Sequence, residues 1–408
     1  MDKLDTSRLI NSSFNFLPAP LRAFLLVVTC DAPDPEPLQQ GSFLTDVQLE
    51  LCRKLSLRIQ NFATVSDTGR LNLNLISDPY KKIGAGACGA ILAQEGRPFI
   101  VKVAKTDDEQ LWNDFTMHAA IAEQFRSWSF SEVRIPACYG FVPPRDPYFD
   151  KNPALVEAAK QVCNLPKSAL VADRIFPLPL MTRNLLIENY CPMQGREAAR
   201  NDAGNRDCLV RVYLGSMQGR QGNYFSLRNF KLHLNQMVEL HLDVKTMAGR
   251  VAVALAVMHW AAKTDARDVE FVLGSSSQKI SEDLTGQEIG SLRWPTYTGP
   301  SSYIREDFFT RTTDLWLLDF NQVQPITMDE DGVAKAVEAI RLNDPYFPRP
   351  LQQSRMEIIL WNEFVAQYLA AAHKILRHET NDQTILSLPA MFIDGLINLE
   401  MNKQQNKK

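Results

Sequence analysis

The stretch that decides the fold is Lys81–Ala104, which has the sequence KKIGAGACGAILAQEGRPFIVKVA. Its glycine-rich first part is followed by two apolar runs, Ile91–Ala93 and Phe99–Ala104, on either side of Glu95–Gly96. Short β-branched runs separated by a glycine-containing turn are typical of paired β-strands. The stretch therefore predicts two adjacent strands directly after a glycine-rich loop.

The glycine-rich loop contains Gly84, Gly86 and Gly89 in the spacing G-x-G-x-x-G, and Lys102 follows 13 residues after the last glycine. Glycine allows backbone N–H groups to approach phosphate oxygens because no Cβ intervenes. In a dinucleotide-binding fold such glycines open a helix, whereas here they lie between predicted strands. A glycine loop followed by a lysine on the next strand is the order of protein kinases. The alternative is that Lys102 is a solvated strand lysine.

The second half of the chain continues this order. A long apolar helix, predicted over Val244–Trp260, precedes Asp265, and Glu270 lies where kinases carry a metal-binding asparagine. A buried-type strand, LWLLDF, then leads to Asp319 and Asn321, where kinases have the aspartate and glycine of D-F-G. Two positions thus differ from the kinase pattern: the metal-binding asparagine and the glycine of D-F-G. The sequence predicts an α+β, protein-kinase-like fold with two lobes, a small β-rich N-lobe and a larger helical C-lobe.

The predicted organisation has four parts: an N-terminal extension over 1–75, the N-lobe over 76–180, the C-lobe over 181–400 and a disordered tail over 401–408. Within the extension, apolar residues at every fourth position predict a helix over Asp46–Phe62. The polar segment Ser275–Ser291 is predicted to be a loop.

Composition limits the class of protein. The chain has 408 residues, 45% hydrophobic and 22% charged, which is ordinary for a globular protein. The net charge of −3 provides no global attraction for nucleic acid, so DNA is not expected as a partner. The seven cysteines are dispersed without a C-x-x-C pair, so neither a zinc site nor another metal site is predicted. The longest apolar run near the start, Ala23–Val28, is too short to span a membrane. We expect a cytoplasmic protein that does not bind membranes.

Four acidic residues follow the long apolar helix or lie at predicted strand ends: Asp265, Asp268, Glu270 and Asp319. If they converge in one cleft, their charge repels phosphate but suits a guanidinium, which carboxylates bind bidentately. The alternative is that each acid caps a turn or pairs with a nearby arginine. His259, near the end of the apolar helix, is a further substrate-binding candidate, with helix capping as its alternative role.

The segment 183–231 contains eight basic residues against four acidic ones, with tyrosines and phenylalanine interleaved. Arginines and aromatic rings are what an RNA backbone and its unstacked bases require. The alternative is an arginine-rich surface with ordinary salt bridges. The candidate RNA-contacting residues are Arg196, Arg200, Arg206, Arg211, Arg220 and Arg228.

Several blocks of the sequence resemble a fungal family built on a domain of unknown function with a zinc-finger label. The blocks are KIGAGACGAIL (82–92), ADRIFPLP (172–179), VRVYLG (210–215), FSLRNF (225–230), LAVMHWAAKTDARDVEFVLG (255–274), LWLLDFNQ (315–322) and NDPYFPRP (343–350). The resemblance extends over roughly residues 78–370, and the dispersed cysteines give the zinc-finger label no support. This family includes arginine-containing cyclodipeptide synthases of secondary metabolism.

The resemblance implies that arginyl-tRNA and a second aminoacyl-tRNA are the partners, and that their amino acids are joined into a diketopiperazine. Because the esters are already activated, the reaction requires neither ATP nor a metal, and no cofactor is expected. We expect Asp268 and Glu270 to hold the arginyl side chain or its ammonium group, with Asp265 as a further acid. Lys102 and Asp319 would orient the second substrate or the terminal adenosine. The glycine loop would donate N–H groups to the tRNA end, and the candidate arginines would contact the tRNA.

Two other functions are compatible with the same residues. An ATP- and Mg²⁺-dependent phosphotransferase would use the glycine loop, Lys102 and Asp319, with Glu270 in place of the asparagine. The second function is that of a non-catalytic interaction module with a kinase-like fold. The altered D-F-N sequence and the missing asparagine favour the synthase over both.

Overall fold

The computed structural model describes residues 44–58, 60–62, 79–86, 88–105, 108–219, 225–283, 285, 287, 291 and 302–406. Most of the predicted N-terminal extension, Arg220 and much of the second half of the predicted Ser275–Ser291 loop lie outside these residues.

The described elements mix helices and strands, which confirms the predicted α+β class. Strands β1–β10 are Gln60–Phe62, Lys81–Ala85, Gly89–Ala93, Phe99–Ala104, Cys138–Val142, Ala169–Asp173, Val210–Tyr213, Phe230–His233, Glu270–Asp283 and Ser302–Leu318. Helices α1–α11 are Asp46–Leu55, Asp108–Ser127, Pro147–Asp150, Pro153–Lys160, Leu180–Tyr190, Arg196–Asn201, Leu234–Glu239, Val244–Ala256, Glu330–Leu342, Arg355–Glu379 and Gln383–Gln405. A π-helical turn, Val257–Ala261, continues α8.

The first sheet contains the glycine-rich stretch and has the strand order β2–β3–β4–β6–β5, antiparallel throughout. The strands predicted over Ile91–Ala93 and Phe99–Ala104 form here as β3 and β4. Helix α2 lies between β4 and β5 along the chain. Its buried residues recur at three- and four-residue intervals, which makes one helix face. That face includes Leu111, Asp114, His118, Ile121 and Phe125.

The second sheet has the order β1–β10–β9–β7–β8, and its β7–β8 pair is parallel. Strands β9 and β10 form a long antiparallel ribbon. The prediction of a loop is therefore wrong for Ser275–Asp283, because these residues belong to β9. Cross-strand pairing with β10 stabilises this polar segment as a strand, and such tertiary pairing overrides local composition.

Two further predictions fail at element ends. Helix α1 ends at Leu55 rather than Phe62, because Arg58 adopts a left-handed backbone and donates its N–H to the Thr313 carbonyl of β10. The chain then continues as β1 on that ribbon. The predicted disordered tail continues helix α11 to Gln405 instead.

The main core surrounds α8, which is apolar on nearly all sides and packs against α10. A helix with this composition is buried on every face. Among the described helices, α11 is long and apolar enough to span a membrane, with a mean hydropathy of 1.3 over its most apolar window. It nevertheless buries Leu388, Phe392 and Leu396 in the core against α9 and α10, as helices of folded domains do.

Helix α2 connects the two sheets. The Asn113 side chain donates hydrogen bonds to the carbonyls of Asn321 and Val323, over 3.0 and 2.9 Å. The Asp114 carboxylate accepts the backbone N–H of Phe320 over 3.1 Å. These bonds fix the segment after β10 against the first sheet, so the glycine hairpin and the end of β10 face each other.

Gly215 provides a test of this packing. It follows β7, donates its N–H to the Pro345 carbonyl over 2.9 Å, and a Cβ there would lie 2.2 Å from the Phe347 carbonyl oxygen. We expect Gly215→Ala to lower the free energy of unfolding by about 1–3 kcal/mol, because backbone must move to admit the methyl group.

Gly140→Ala on β5 is the matched control, since nothing lies within 4 Å of the added Cβ. Urea unfolding followed by fluorescence would measure both variants, and we expect the control to change stability by less than about 0.5 kcal/mol. Equal stability of the two variants would contradict the packing described for residues 345–347.

Candidate functional site

A cavity of about 160 Å³ lies between the two sheets. The glycine hairpin, from Ile83 to Gly86, forms one wall. Glu270, Val272, Leu318 and Asp319 of the second sheet form the opposite wall. The lining also contains four charged residues outside these walls: Arg174, Asp207, Arg211 and Arg228.

Antiparallel pairing explains why acids that are distant in sequence meet here. Glu270 is the first residue of β9, and its Cα partner is Leu318, the last residue of β10. Asp319 follows Leu318 directly, so both carboxylates come to one edge of the sheet. Asp319 has a φ of 65°, a left-handed conformation that aspartate tolerates better than most residues. The chain therefore turns sharply at the cavity wall.

Lys102 lies behind Asp319 and is bound by two acids. Its Nζ is 2.7 Å from Asp114 Oδ2 and 3.0 Å from Asp319 Oδ1, and only 10% of its side chain is exposed. Burial disfavours the charged amine, but Asp319 and Asp114 outweigh it and hold the pKa of Lys102 well above its ordinary value. Lys102 is therefore a permanent ammonium rather than the solvated strand lysine of the alternative interpretation.

The three glycines of the loop have different roles. Gly84 and Gly86 line the cavity, but the Gly86 N–H donates to the Gly89 carbonyl over 2.9 Å, so it does not point at a ligand. Gly89 lies beside Lys102 instead, and a Cβ there would be 3.0 Å from the lysine Cγ. The substrate contact predicted for Gly89 is replaced by a packing role: it leaves room for the Lys102 side chain.

A group of possible metal ligands surrounds the same ammonium. Cys88, Asp114 and Asp319 place ligand atoms within 4.8 Å of one another. The Lys102 ammonium already balances the two carboxylates. Burial also raises the pKa of the Cys88 thiol, which disfavours the thiolate that binds metals. Among the described residues, these three side chains are best explained as the binding site of the Lys102 ammonium rather than of a metal ion.

Arg211 lies at the sheet edge that carries Glu270 and Asp319, here called the acidic edge, rather than on a tRNA-binding surface. Its guanidinium forms an ion pair with Glu270 and another with Asp344, the latter over 3.1 Å. Arg211 is paired with Val272 across the β7–β9 ladder, so Glu270 is its diagonal neighbour on the same face. The RNA contact predicted for Arg211 is therefore wrong, because the sheet directs this side chain into the acidic cluster.

Burial governs the protonation of Glu270. Desolvation raises its pKa to about 7, and Asp319, Asp268 and Asp344 act in the same direction, whereas Arg211 opposes them. Glu270 is thus partly protonated near neutral pH and can accept or release a proton there.

Asp268 lies next to this cluster. Its carboxylate accepts a hydrogen bond from the Gln322 amide, and its N–H donates to Asn343 Oδ1 over 2.6 Å. Burial and the charges of Asp319 and Asp344 raise the pKa of Asp268. Asn343 also donates to the Ala266 carbonyl over 3.0 Å. The segment after α9 thereby fixes the chain that leads into β9.

Asp265 and His259 lie away from the cavity, and the structure gives them structural roles. Asp265 Oδ1 accepts the backbone N–H groups of Arg267 and Gln324, over 3.0 and 2.9 Å, so this carboxylate fixes two loop segments. His259 is completely buried, bonds the Tyr368 hydroxyl over 2.8 Å, and desolvation lowers its pKa to about 3. The acid role predicted for Asp265 and the substrate contact predicted for His259 are therefore wrong, because backbone N–H groups bind Asp265 and the core encloses His259.

The other candidate arginines are dispersed. Arg200 and Arg206 are exposed, and Arg196 donates from Nε to the Cys191 carbonyl over 3.2 Å. Arg228 is exposed and lines the cavity. Arg220 lies outside the described residues.

Three site residues were not predicted from the sequence. Asp114 binds Lys102, Asp344 binds Arg211 and accepts the Tyr213 hydroxyl, and Arg174 lines the cavity. Asp344 belongs to the NDPYFPRP block, which the family resemblance emphasised without giving it a role. Asp114 lies on the buried face of the helix after the lysine strand, where an acid is unusual, and that position was the available signal.

A family model described as a zinc finger protein, DUF3669, matches residues 315–380. The match covers the LWLLDFNQ and NDPYFPRP blocks, 66 of the 408 residues. This segment contains two histidines and no cysteine, so it lacks the ligand set of a zinc finger. No curated protein matches the sequence.

The raised pKa of Glu270 predicts a pH-dependent stability. Between pH 4.5 and about 7 the folded protein keeps a proton that the unfolded chain releases, so stability falls as pH rises through this window. The full difference corresponds to about 3 kcal/mol at about 1.4 kcal/mol per pKa unit. We expect Glu270→Gln to lose this decline, measured by urea unfolding from pH 4.5 to 8.

Glu157→Gln, which removes one partner of an exposed ion pair, is the control and should keep the decline of the unmodified protein. The same pH dependence in Glu270→Gln as in the unmodified protein would show that Glu270 titrates normally.

Proposed function

We propose that this protein is an arginine-containing cyclodipeptide synthase with a protein-kinase-like, two-lobed fold. It would condense arginine with a second amino acid, taken from two aminoacyl-tRNAs, into a cyclo(Arg-Xaa) diketopiperazine of fungal secondary metabolism. The observation that carries the proposal is the acidic edge of the cavity, where a guanidinium, that of Arg211, is already held between Glu270 and Asp344. Charged tRNAs as substrates would place the reaction in the cytoplasm.

Strand order supports the fold. The first sheet has its fourth and fifth strands exchanged relative to the chain, and a long helix lies between its third and fourth strands. Lys102 on the third strand binds Asp114 on that helix, as the strand lysine and helix glutamate of kinases do. Asp319 corresponds to the aspartate of D-F-G.

The charge balance supports a cationic substrate. Burial raises the pKa of Asp268 and of Glu270, and the nearby charges of Asp319 and Asp344 raise both further. Arg211 offsets part of this charge, and the Lys102 ammonium is shared between Asp319 and Asp114. The remaining negative charge favours an arginyl guanidinium or an α-ammonium group, both of which carboxylates bind through charge-assisted hydrogen bonds. Of these four acids, Asp319 and Glu270 line the cavity itself.

The chemistry requires positioning and one proton acceptor. The α-amine of one aminoacyl ester attacks the carbonyl carbon of the other, an amide bond forms, and the ester C–O bond breaks to release the tRNA hydroxyl. A second attack of the same kind closes the six-membered ring. Glu270, with its pKa near neutrality, would take the proton from the attacking ammonium. Proximity of the two esters in one cavity would supply much of the acceleration.

The Lys102–Asp114–Asp319 group also favours a second candidate, an ATP- and Mg²⁺-dependent phosphotransferase. One contact disfavours it. Asp265, at the position of the kinase catalytic base, accepts two backbone N–H groups and is therefore not free to act as a base.

Expression in yeast followed by mass spectrometry for arginine-containing diketopiperazines tests the proposal. We expect the unmodified protein to produce one such product. Asp268→Asn, Glu270→Gln and Asp319→Asn should each lower the yield by about 10²–10⁴-fold, because each change removes a substrate contact or the proton acceptor. Glu157→Gln, on the exposed surface, should keep full yield.

Circular dichroism of each variant would establish that it is folded. Absence of any arginine-containing product from folded, unmodified protein would contradict the proposal. Stabilisation by Mg²⁺-ATP in a thermal shift assay, with phosphate transfer to a small molecule, would favour the phosphotransferase instead.

A further inference from the structure

The cavity has a second end whose charge is opposite to that of the acidic edge. Arg174 and Arg228 line it, together with Asp207. Arg174 lies just after β6 of the first sheet, and Arg228 precedes β8 of the second. Phe176, two residues after Arg174, bridges Ser275 of β9, which lies five residues beyond Glu270. Arg174 is therefore displaced along the ribbon from the acidic edge.

Positive charge exceeds negative charge at this end. Arg174 donates from Nη2 to Asp207 Oδ1 over 2.8 Å, while Arg183 and Arg228 also act electrostatically on that carboxylate. Three guanidinium groups thus act on Asp207, and Arg174 also acts on the exposed Glu95. Arg183 is buried and donates to the carbonyls of Leu178 and Arg206. These bonds hold its guanidinium in place.

Arg174 has an unused donor. Its Nε is buried and has no hydrogen-bond partner in the part of the chain that the structure describes. A buried donor without a protein partner is costly, and a ligand oxygen that accepts its hydrogen bond would remove that cost. Arg228, by contrast, is exposed, so its guanidinium can reach an anion at the cavity mouth.

We propose that Arg174 and Arg228 form a subsite for the phosphate of the terminal tRNA nucleotide, an assignment that rests on the proposed function. An aminoacyl-nucleotide has a cationic amino acid at one end and an anionic phosphate at the other. The cavity has the complementary polarity, with acids at one end and arginines at the other. Repulsion at each wrong end would orient the substrate with its arginyl group at Glu270 and Asp319.

Two stable analogues test this subsite: 3′-arginylamido-3′-deoxyadenosine with a 5′-phosphate, and the same compound without the phosphate. The amide replaces the reactive ester. Titration calorimetry with the purified full chain would measure both affinities, and AMP would serve as a third ligand. We expect the phosphate to raise the affinity at least about 10-fold, a gain that shrinks with added salt because the contact is charge-assisted.

Arg228→Gln should reduce the gain from the phosphate to less than about 3-fold while leaving the affinity for the phosphate-free analogue unchanged, because one charge-assisted contact is lost. Arg174→Gln should act in the same direction. Arg355→Gln changes an exposed arginine outside the cavity lining and should keep the full gain.

Several outcomes overturn the assignment, and they are distinguishable from failure of the proposed function. Equal affinity of the two analogues for the unmodified protein, or a full phosphate gain in Arg228→Gln, would exclude the subsite while arginyl recognition stands. Absence of binding by both analogues would contradict the proposed function itself. Binding of AMP as tight as that of the phosphorylated analogue would identify a general nucleotide site and overturn the assignment to aminoacyl-tRNA.

Discussion

The interaction on which the site depends is the buried contact of the Lys102 ammonium with Asp114 and Asp319. It joins a strand of the first sheet, the helix that packs against that sheet, and the end of the long ribbon in the second. The buried Asp114 carboxylate would carry a large desolvation cost without a cation, so it requires Lys102. The position of Asp319, and with it one wall of the cavity, follows from this contact.

The polarity of the cavity follows from where the strands end. Antiparallel pairing of β9 and β10 brings Glu270 and Asp319 to one edge, and Arg211 enters that edge from the neighbouring strand. At the other end, Arg174 and Arg228 come from segments that meet only in the folded chain. A cavity with separated charge binds a substrate with separated charge, and an aminoacyl-nucleotide has that property. Recognition and orientation would therefore arise from one electrostatic arrangement.

The sequence predicted the parts that depend on local pattern. The glycine loop, the two following strands, Lys102 and the strand leading to Asp319 all carry periodic or motif signals, and these elements form as expected. The ribbon through Ser275–Asp283 was missed because a polar segment becomes a strand only through its partner.

The site residues that were missed or misassigned depend on tertiary contacts. Asp114 binds a residue more than ten positions away in the sequence, and Asp344 binds one more than a hundred positions away. Local sequence patterns do not predict contacts at such separations. Asp265 and His259 have the residue types of a catalytic site but bind groups of the protein itself. Asp265 accepts two backbone N–H groups, and the buried His259 bonds a tyrosine hydroxyl. Whether an acid is reactive or structural depends on its burial, and burial is decided by the tertiary fold.

A double-mutant cycle on Lys102 and Asp114 tests the central interaction most directly. With urea unfolding at pH 7, Lys102→Met should lower the free energy of unfolding by about 3–5 kcal/mol, because it leaves the buried Asp114 without its cation. Asp114→Asn should also lower it, but by less, because Lys102 keeps its ion pair with Asp319. The double variant should lose clearly less than the sum of the two, since the buried Asp114 charge is then absent. Additive losses, or single variants within about 0.5 kcal/mol of the unmodified protein, would contradict the account.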